Sequence, residues 1–247
     1  MRRLLYAIKM ILKQFIRIDI LGIFKNSSWY IGDYFKLKKE KNDNFELSTQ
    51  GLFPCINDKT SDNPMDYVYF YQNAWAAGKV FQYKPSEHFD IGSQVGFVGI
   101  LSQFVKTTFL DIRSIDVDLP GLHFKSSDIL KMPFPDNSLE SVSSICVIEH
   151  IGLGRYGDAI NGWGSEQAIS EIIRVTKPGG HIVISVPVDK VNKIYFNAHR
   201  AFTPEYLIKL FEGCNLVESK YIYGSKLLGT YDPDKGFGTG LYYFTKK

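Results

Sequence analysis

From residue 88 onward, short apolar runs alternate with amphipathic ones. The run His88-Phe89-Asp90-Ile91 reads as a strand that enters a turn at Gly92-Ser93 and then a helix over residues 95–105. Residues 107–112 are β-branched and apolar and close on Asp111, and residues 122–126 form a shorter strand followed by Ser127-Asp128. Residues 142–148 read as a buried strand ending in Glu149-His150. Residues 165–176 are an amphipathic helix stopped by Lys177-Pro178-Gly179-Gly180, with a strand over 181–188. A helix over 203–214 has Thr203 as its cap and Pro204 in its first turn, and strands over 216–223 and 241–245 close the chain. Strands alternating with helices predict an α/β fold: a Rossmann-like, doubly wound sheet with its ligand at the carboxyl ends of the strands.

The first third of the chain follows another pattern. Leu4, Leu5, Ile8, Ile11, Leu12, Phe15 and Ile16 recur at helical spacing, while Arg2, Arg3, Lys9, Lys13 and Arg17 fill the opposite face. Lys9 and Lys13 interrupt the apolar run, which is therefore far short of the roughly 20 residues of a membrane span. Such a helix either lies on an anionic membrane surface or caps the domain or a partner. Residues 36–64 are rich in Lys, Asn, Asp, Ser, Gly and Pro and read as loop, and Pro64 opens a helix through Gly78. That helix carries Tyr67, Tyr69, Phe70, Tyr71 and Trp75, a stripe suited either to a core or to stacking on a flat substrate. The division expected is an extension and linker over 1–63 and a ligand-binding domain over 64–247.

Charge sharpens this division. The net charge is only +3, yet residues 1–41 hold ten Lys and Arg against Asp19, Asp33 and Glu40, so the rest of the chain is net acidic. That balance argues against a nucleic-acid partner for the α/β domain. The three cysteines are far apart and lack ligand spacing, and no small-residue cleavage site follows the first helix, so a reducing, cytoplasmic setting is expected. No cluster of His, Cys and carboxylates has clear metal spacing.

The candidate chemistry sits at predicted strand ends. Asp90, Gly92 and Gly96 outline a small-molecule loop, but a dinucleotide loop would need glycine where Gln94 and Phe97 stand. A nicotinamide-dependent oxidoreductase is disfavoured on that ground. Asp111 ends the second strand, where a carboxylate can accept both ribose hydroxyls. Asp128 follows the third, beside apolar Ile129 and Leu130, and could accept from an exocyclic adenine amine. Glu149 and His150 end the fourth. Four polar groups in register along one sheet edge argue for a site more strongly than any one of them. Residues 151–164 hold five glycines with Arg155, Tyr156 and Trp163 and read either as a substrate lid or as a surface loop.

The segments Asp90-Ile91-Gly92-Ser93, Asp111, Ser127-Asp128-Ile129-Leu130 and the 175–181 run VTKPGGH resemble, in order, the signatures of class I S-adenosylmethionine-dependent methyltransferases. The run VIEHIGLGRYGD over 147–158 and FNAHR over 196–200 further resemble a subgroup known mainly as a domain of unknown function. The resemblance covers roughly residues 64–224 and departs from the wider family at Gln94. It implies a seven-stranded sheet with an antiparallel last strand and S-adenosylmethionine as cofactor. By position it implies that Asp90, Gly92, Ser93 and Gly96 hold the methionine end, Asp111 the ribose, and Asp128 with Ile129 the adenine.

A neutral hydroxyl acceptor would also need a base, for which His150, Glu149, His199 and Asp158 are the candidates, His150 first. His150 could instead fix the following loop. Arg155, Tyr156, Asp158 and Arg200 are candidate substrate contacts, the arginines for phosphate or uronate. The expectation is a cytoplasmic methyltransferase acting on a sugar hydroxyl of a sugar nucleotide or surface glycan in polysaccharide biosynthesis, with peripheral membrane contact through residues 2–18. A binding or scaffold protein on the same fold is the alternative.

Overall fold

The computed structural model describes residues 20–40 and 44–247. The amphipathic segment over 2–18 lies outside the described residues. The chain divides into two compact units, the first ending at Pro64 and the second running from Met65 to Lys247. In the first, helix α1 spans Ile20–Lys39. It therefore continues into the Lys-rich stretch expected to be loop, because Lys36, Lys38 and Lys39 fall in its last turn, where cations complement the helix dipole. Among the described residues no helix is long and apolar enough to cross a membrane.

The second unit opens with α2, Tyr67–Tyr83. It starts three residues later than Pro64 because Asp66 is its cap, accepting from the backbone N–H groups of Val68 and Tyr69. It runs past Gly78 and stops where Lys84 turns left-handed at φ 46°. There follow β1 (His88–Ile91), α3 (Val95–Leu101), β2 (Thr107–Asp111), β3 (Leu122–Ser126) and β4 (Leu139–Ile145). Next come α4 (Gly164–Val175), β5 (Thr176–Val188), β6 (Lys193–Tyr195), β7 (His199–Ala201) and α5 (Pro204–Leu210). The chain closes with β8 (Cys214–Tyr223), β9 (Lys226–Leu228) and β10 (Gly238–Lys246).

The main sheet runs β3-β2-β1-β4-β5-β10-β8-β9, and β6 and β7 pair separately as a two-stranded hairpin. The first five strands are parallel, while β10 is antiparallel to β5 and β8. This is the expected doubly wound α/β sheet with an antiparallel last strand, but it has eight strands where seven were expected. The extra strand is β9, which folds back on β8 through the two-residue turn Gly224-Ser225, with Gly224 at φ 56°.

Helices α3 and α5 stop at Leu101 and Leu210, short of the expected 105 and 214, and a further boundary moves site residues. Strand β4 stops at Ile145 because Cys146 takes a positive φ of 53°, outside any strand conformation. Glu149 and His150 therefore lie in a one-turn 3-10 helix, Ile148–His150, beyond the strand end. The Lys177–Gly180 stretch, expected to be a helix stop only, is already part of β5.

Both faces of the sheet are covered. Along β5, Ile182, Ile184 and Val186 pack in one apolar cluster with Ile169, Ile172 and Phe211, whereas Val183 packs with Ala76 and Val80 of α2 and Phe97 and Leu101 of α3. The period-2 alternation thus points into two cores, which is why the strand reads as a continuous apolar run. Helices on both faces leave the carboxyl ends of β1, β2 and β4 as the place for a cleft.

His88 is sealed inside this frame. Its Nδ1 lies 2.7 Å from Ser141 Oγ and its Nε2 2.8 Å from Ser143 Oγ, and burial holds the imidazole down to about 3. The unfolded chain takes up that proton near pH 6.5, so the associated stability is present above 6.5 and lost as pH falls towards 3. His88→Gln is expected to lose less stability than the parent between pH 6.5 and 5, by about 1.4 kcal/mol per pH unit at most. Urea unfolding at the two pH values checks it, and equal acid slopes would show that His88 is not held proton-free.

Candidate active site

The turn after β1 is built around a carboxylate that never meets solvent. Asp90 is fully buried and accepts from the backbone N–H of Ser93 at 3.1 Å, from Ser93 Oγ at 2.8 Å and from Ser143 Oγ on β4. Burial pushes its carboxyl up to about 6 even against these donors. Ser93 Oγ in turn accepts from the backbone N–H of Ile145 at 3.0 Å, so the turn is fastened to β4 at two points. Gly92 sits at φ 67°, and a Cβ there would come within 3.0 Å of Val147 Cγ1. Gln94, standing where a dinucleotide loop would need glycine, has its amide oxygen bonded by Asn73 Nδ2 of α2 at 3.0 Å.

This turn forms part of a cavity of about 560 Å³ at the carboxyl ends of the parallel strands. Gly92 and Ser93 line it beside Asp111, Ile112 and Arg113 from the end of β2 and Ser127, Asp128, Ile129 and Leu130 from the end of β3. Cys146, Val147 and His150 follow from beyond β4, with Tyr156, Asp158 and Asn161 from the glycine-rich loop and Tyr69 from α2. Of the expected cofactor residues, Gly92, Ser93, Asp111, Asp128 and Ile129 face one cavity. Asp90 and Gly96 are not in its wall. Asp90 shapes the turn from beneath, and Gly96 lies inside α3.

The carboxylates at the ends of β2 and β3 face the cavity with different partners. Asp111 Oδ1 accepts from the backbone N–H of Arg113 at 2.8 Å and from Arg113 Nε at 3.2 Å, while Oδ2 accepts from Nη2 at 3.1 Å. Asp128 Oδ1 accepts from the backbone N–H of Leu130 at 2.8 Å. Arg113 was not singled out in the sequence. The arginine two residues past Asp111 was the only signal of it.

Of the four candidate bases, His150 and Asp158 line the cavity, and Asp158 is taken up by backbone N–H groups of the glycine-rich loop. His150 Nδ1 lies 2.6 Å from the carbonyl oxygen of Ala198, between β6 and β7. A carbonyl only accepts, so Nδ1 carries the hydrogen and Nε2 holds the free lone pair. Burial, reinforced by the Arg155 charge, holds the imidazole down to about 4. Glu149 is buried and its carboxyl is pushed up to about 8 by burial, with Oε1 3.7 Å from His150 Nε2 and Oε2 unpartnered. His199 lies outside the wall, its ring against Tyr195 and Phe237 at 5.0 and 5.3 Å.

The loop over 151–164 is braced rather than loose. Asp158 accepts from the backbone N–H groups of Gly152, Gly154 and Tyr156 at 2.7, 3.3 and 3.2 Å. A Cβ on Gly152, at φ 82°, would meet Asn161 O at 2.2 Å. Arg200, expected to bind substrate, is instead only 6% exposed. It donates to the carbonyls of Ile151, Asn161 and Gly162 at 2.6, 3.0 and 3.3 Å and to Ser165 Oγ at 3.2 Å. These bonds take all four N–H donors of its two terminal nitrogens, so a ligand could claim them only by opening the loop. Arg155 is exposed, donates to Ala198 O at 2.9 Å, and holds its guanidinium 5.1 Å from the Tyr156 ring. Among the described residues, no group of three or more His, Cys, Asp or Glu side chains comes together as a metal site.

Comparisons with known proteins bear on both sequence and fold. Residues 127–226 match the family model described as "Caenorhabditis protein of unknown function, DUF268". Over 81 residues the chain is 31% identical to a Mycolicibacterium smegmatis protein described as a "Probable S-adenosylmethionine-dependent methyltransferase". That match covers 33% of this chain and 26% of the relative, so the chain spans about a quarter of the relative's length. Among solved structures, the N-methyltransferase NodS from Bradyrhizobium japonicum WM9, in complex with S-adenosyl-L-homocysteine, is similar with a TM-score of 0.51 at 15% identity, over 75% of this chain and 89% of that one. The geranyl diphosphate C-methyltransferase from Streptomyces coelicolor A3(2) is similar with a TM-score of 0.53 at 8% identity, over 72% and 80%. At these identities the likeness is one of fold.

Arg200→Ala is expected to act on stability. It strands three loop carbonyls, and the cost should be about 3 kcal/mol in urea unfolding. Unchanged stability with weakened ligand binding would return Arg200 to the substrate-binding role.

Proposed function

We propose that this chain is an S-adenosylmethionine-dependent methyltransferase. One observation carries the reading: Asp111 and Asp128, at the ends of adjacent parallel strands, face one cavity with Ile112, Ile129 and Leu130. Carboxylates that can accept from a ribose diol and an exocyclic amine, with apolar side chains for a ring between them, are the set an adenosine needs. Gly92 and Ser93 supply the close backbone for the methionine end. The protein of M. smegmatis and the fold likeness to NodS support the same reading.

When bound, the cofactor supplies an electrophilic methyl group on a sulfonium. The chain's part is to hold the acceptor in line, keep water out and remove a proton. His150 suits the last task, because its Nε2 carries the lone pair and the ring is already neutral at physiological pH. An imidazole held near 4 is a weak base, but the acceptor oxygen becomes far more acidic as its bond to the methyl forms. The Ala198 carbonyl keeps the resulting imidazolium hydrogen-bonded on its other side. Glu149, adjacent but outside the cavity wall, is neutral below about pH 8 and so does not compete for the proton.

For the acceptor, the reading is a sugar hydroxyl, on a sugar nucleotide or a surface glycan. Tyr69 and Tyr156 offer aromatic faces in the cavity wall, and Arg155 offers a guanidinium beside Tyr156 for a phosphate or uronate. A cytoplasmic protein that contacts the membrane peripherally through residues 2–18 would suit such a glycan, because the sequence of that segment interleaves Lys and Arg with apolar residues at helical spacing.

Calorimetric titration with S-adenosylhomocysteine is the first test. Micromolar binding that Asp111→Ala abolishes is expected, and no binding at millimolar ligand overturns the reading. His150→Gln should leave that affinity unchanged while lowering kcat about a hundredfold. The parent rate should stay flat on its acid side down to about pH 5, because His150 protonates only near 4. An acid limb near 6.5 would point to another base.

A further inference from the structure

Arg113 is placed to act in two sites in succession. Its backbone N–H and Nε both donate to Asp111 Oδ1, and its Nη2 donates to Oδ2. A carboxylate oxygen has two lone-pair positions, so Oδ1 is full and Oδ2 has one position free. A ribose diol held by both hydroxyls needs more than that single acceptor. The arginine fork and the diol therefore compete for one carboxylate. The pair is asymmetric, since the Asp111 side chain is 9% exposed and that of Arg113 is 57% exposed. Arg113 can leave into solvent, whereas Asp111 stays where β2 puts it.

The guanidinium has a second neighbour already in place. Its central carbon lies 4.6 Å from the centre of the Tyr156 ring, and that of Arg155 lies 5.1 Å from the same ring. Among the described residues no carboxylate comes within ion-pairing distance of Arg155. While Arg113 is tied to Asp111, the loop thus presents one free cation. Once Arg113 is released, two guanidinium groups stand against the same tyrosine ring, each with fork geometry suited to phosphate oxygens.

We propose that Arg113 is a specificity-determining residue that couples the two ligands. It pairs with Asp111, is displaced when a ribose takes that carboxylate, and then joins Arg155 at Tyr156 to bind the diphosphate of the acceptor. This rests on the cofactor reading above and adds an order to it: cofactor first, phosphorylated acceptor second. By linkage the coupling is reciprocal, so each ligand tightens the other by the same factor.

The test uses calorimetry on the full chain, with S-adenosylhomocysteine and inorganic pyrophosphate as probes. In the parent, pyrophosphate is expected to bind about fivefold or more tightly when S-adenosylhomocysteine is saturating. In Arg113→Gln that dependence should vanish, while S-adenosylhomocysteine itself binds several-fold more tightly because its competitor is gone. Arg113→Lys, which keeps the charge, should restore part of the dependence. The proposal is overturned if Arg113→Gln binds S-adenosylhomocysteine no better than the parent, or if parent pyrophosphate affinity ignores the cofactor analogue. A parent that binds no S-adenosylhomocysteine at all fails the cofactor reading instead, and the two failures are distinct.

Discussion

A buried carboxylate sets the shape on which the site depends. Asp90 has no contact with water, so every lone pair it leaves unmet would be costly, and the chain meets them by bending the next three residues back. Ser93 answers with both its amide and its hydroxyl, and Ser143 reaches across from β4. Ser143 is also the partner of His88 Nε2, so one hydrogen-bonded chain runs from the start of β1, through β4, to the turn above. The turn cannot shift without unpairing a group in the core. A ligand loop built this way is preorganised, and its floor is as rigid as the sheet.

The opposite wall is made of backbone rather than sheet, and charged side chains hold it. Asp158 gathers amide N–H groups and Arg200 gathers carbonyls, so the two satisfy complementary halves of one loop. Irregular backbone in a cleft needs such partners, because it has no strand or helix to complete its hydrogen bonds. The hairpin of β6 and β7 does the same for the His150 ring, since the carbonyl of Ala198 fixes which nitrogen is free. Arg200 follows that carbonyl by two residues in sequence, so the short hairpin serves both the loop and the imidazole.

How much of this was legible follows from where the signal lies. Short apolar runs alternating with helical segments marked the parallel sheet, and acidic residues at strand ends marked Asp111 and Asp128, because both patterns are local. The roles of Asp158 and Arg200 were not legible. An exposed carboxylate and arginine look the same in sequence as a pair that clamps backbone, and only the fold brings loop carbonyls to Arg200. β6, β7 and β9 are three residues each, too short for periodicity to declare. Glu149 and His150 were misplaced by one turn because nothing in Ile145-Cys146-Val147 signals a left-handed cysteine. Arg113 was passed over because its importance lies in which oxygens it occupies, and spacing does not report occupancy.

Gln94 shows what the departure from a glycine pattern achieves. A side chain at that position reaches Asn73, and this ties the turn after β1 to α2. The same helix is fixed at a second point, where Gln72 Oε1 accepts from Ser185 Oγ on β5 and from the Cys146 thiol. Cys146 in turn gives its backbone N–H to Ser185, which holds the left-handed turn that carries the chain from β4 to His150. One face of α2 therefore bonds to both turns that frame the cavity, and Tyr69, one turn earlier on the helix, is delivered into the wall. The helix ahead of the sheet is part of the site, and lost glycine freedom at one position is exchanged for a fixed roof.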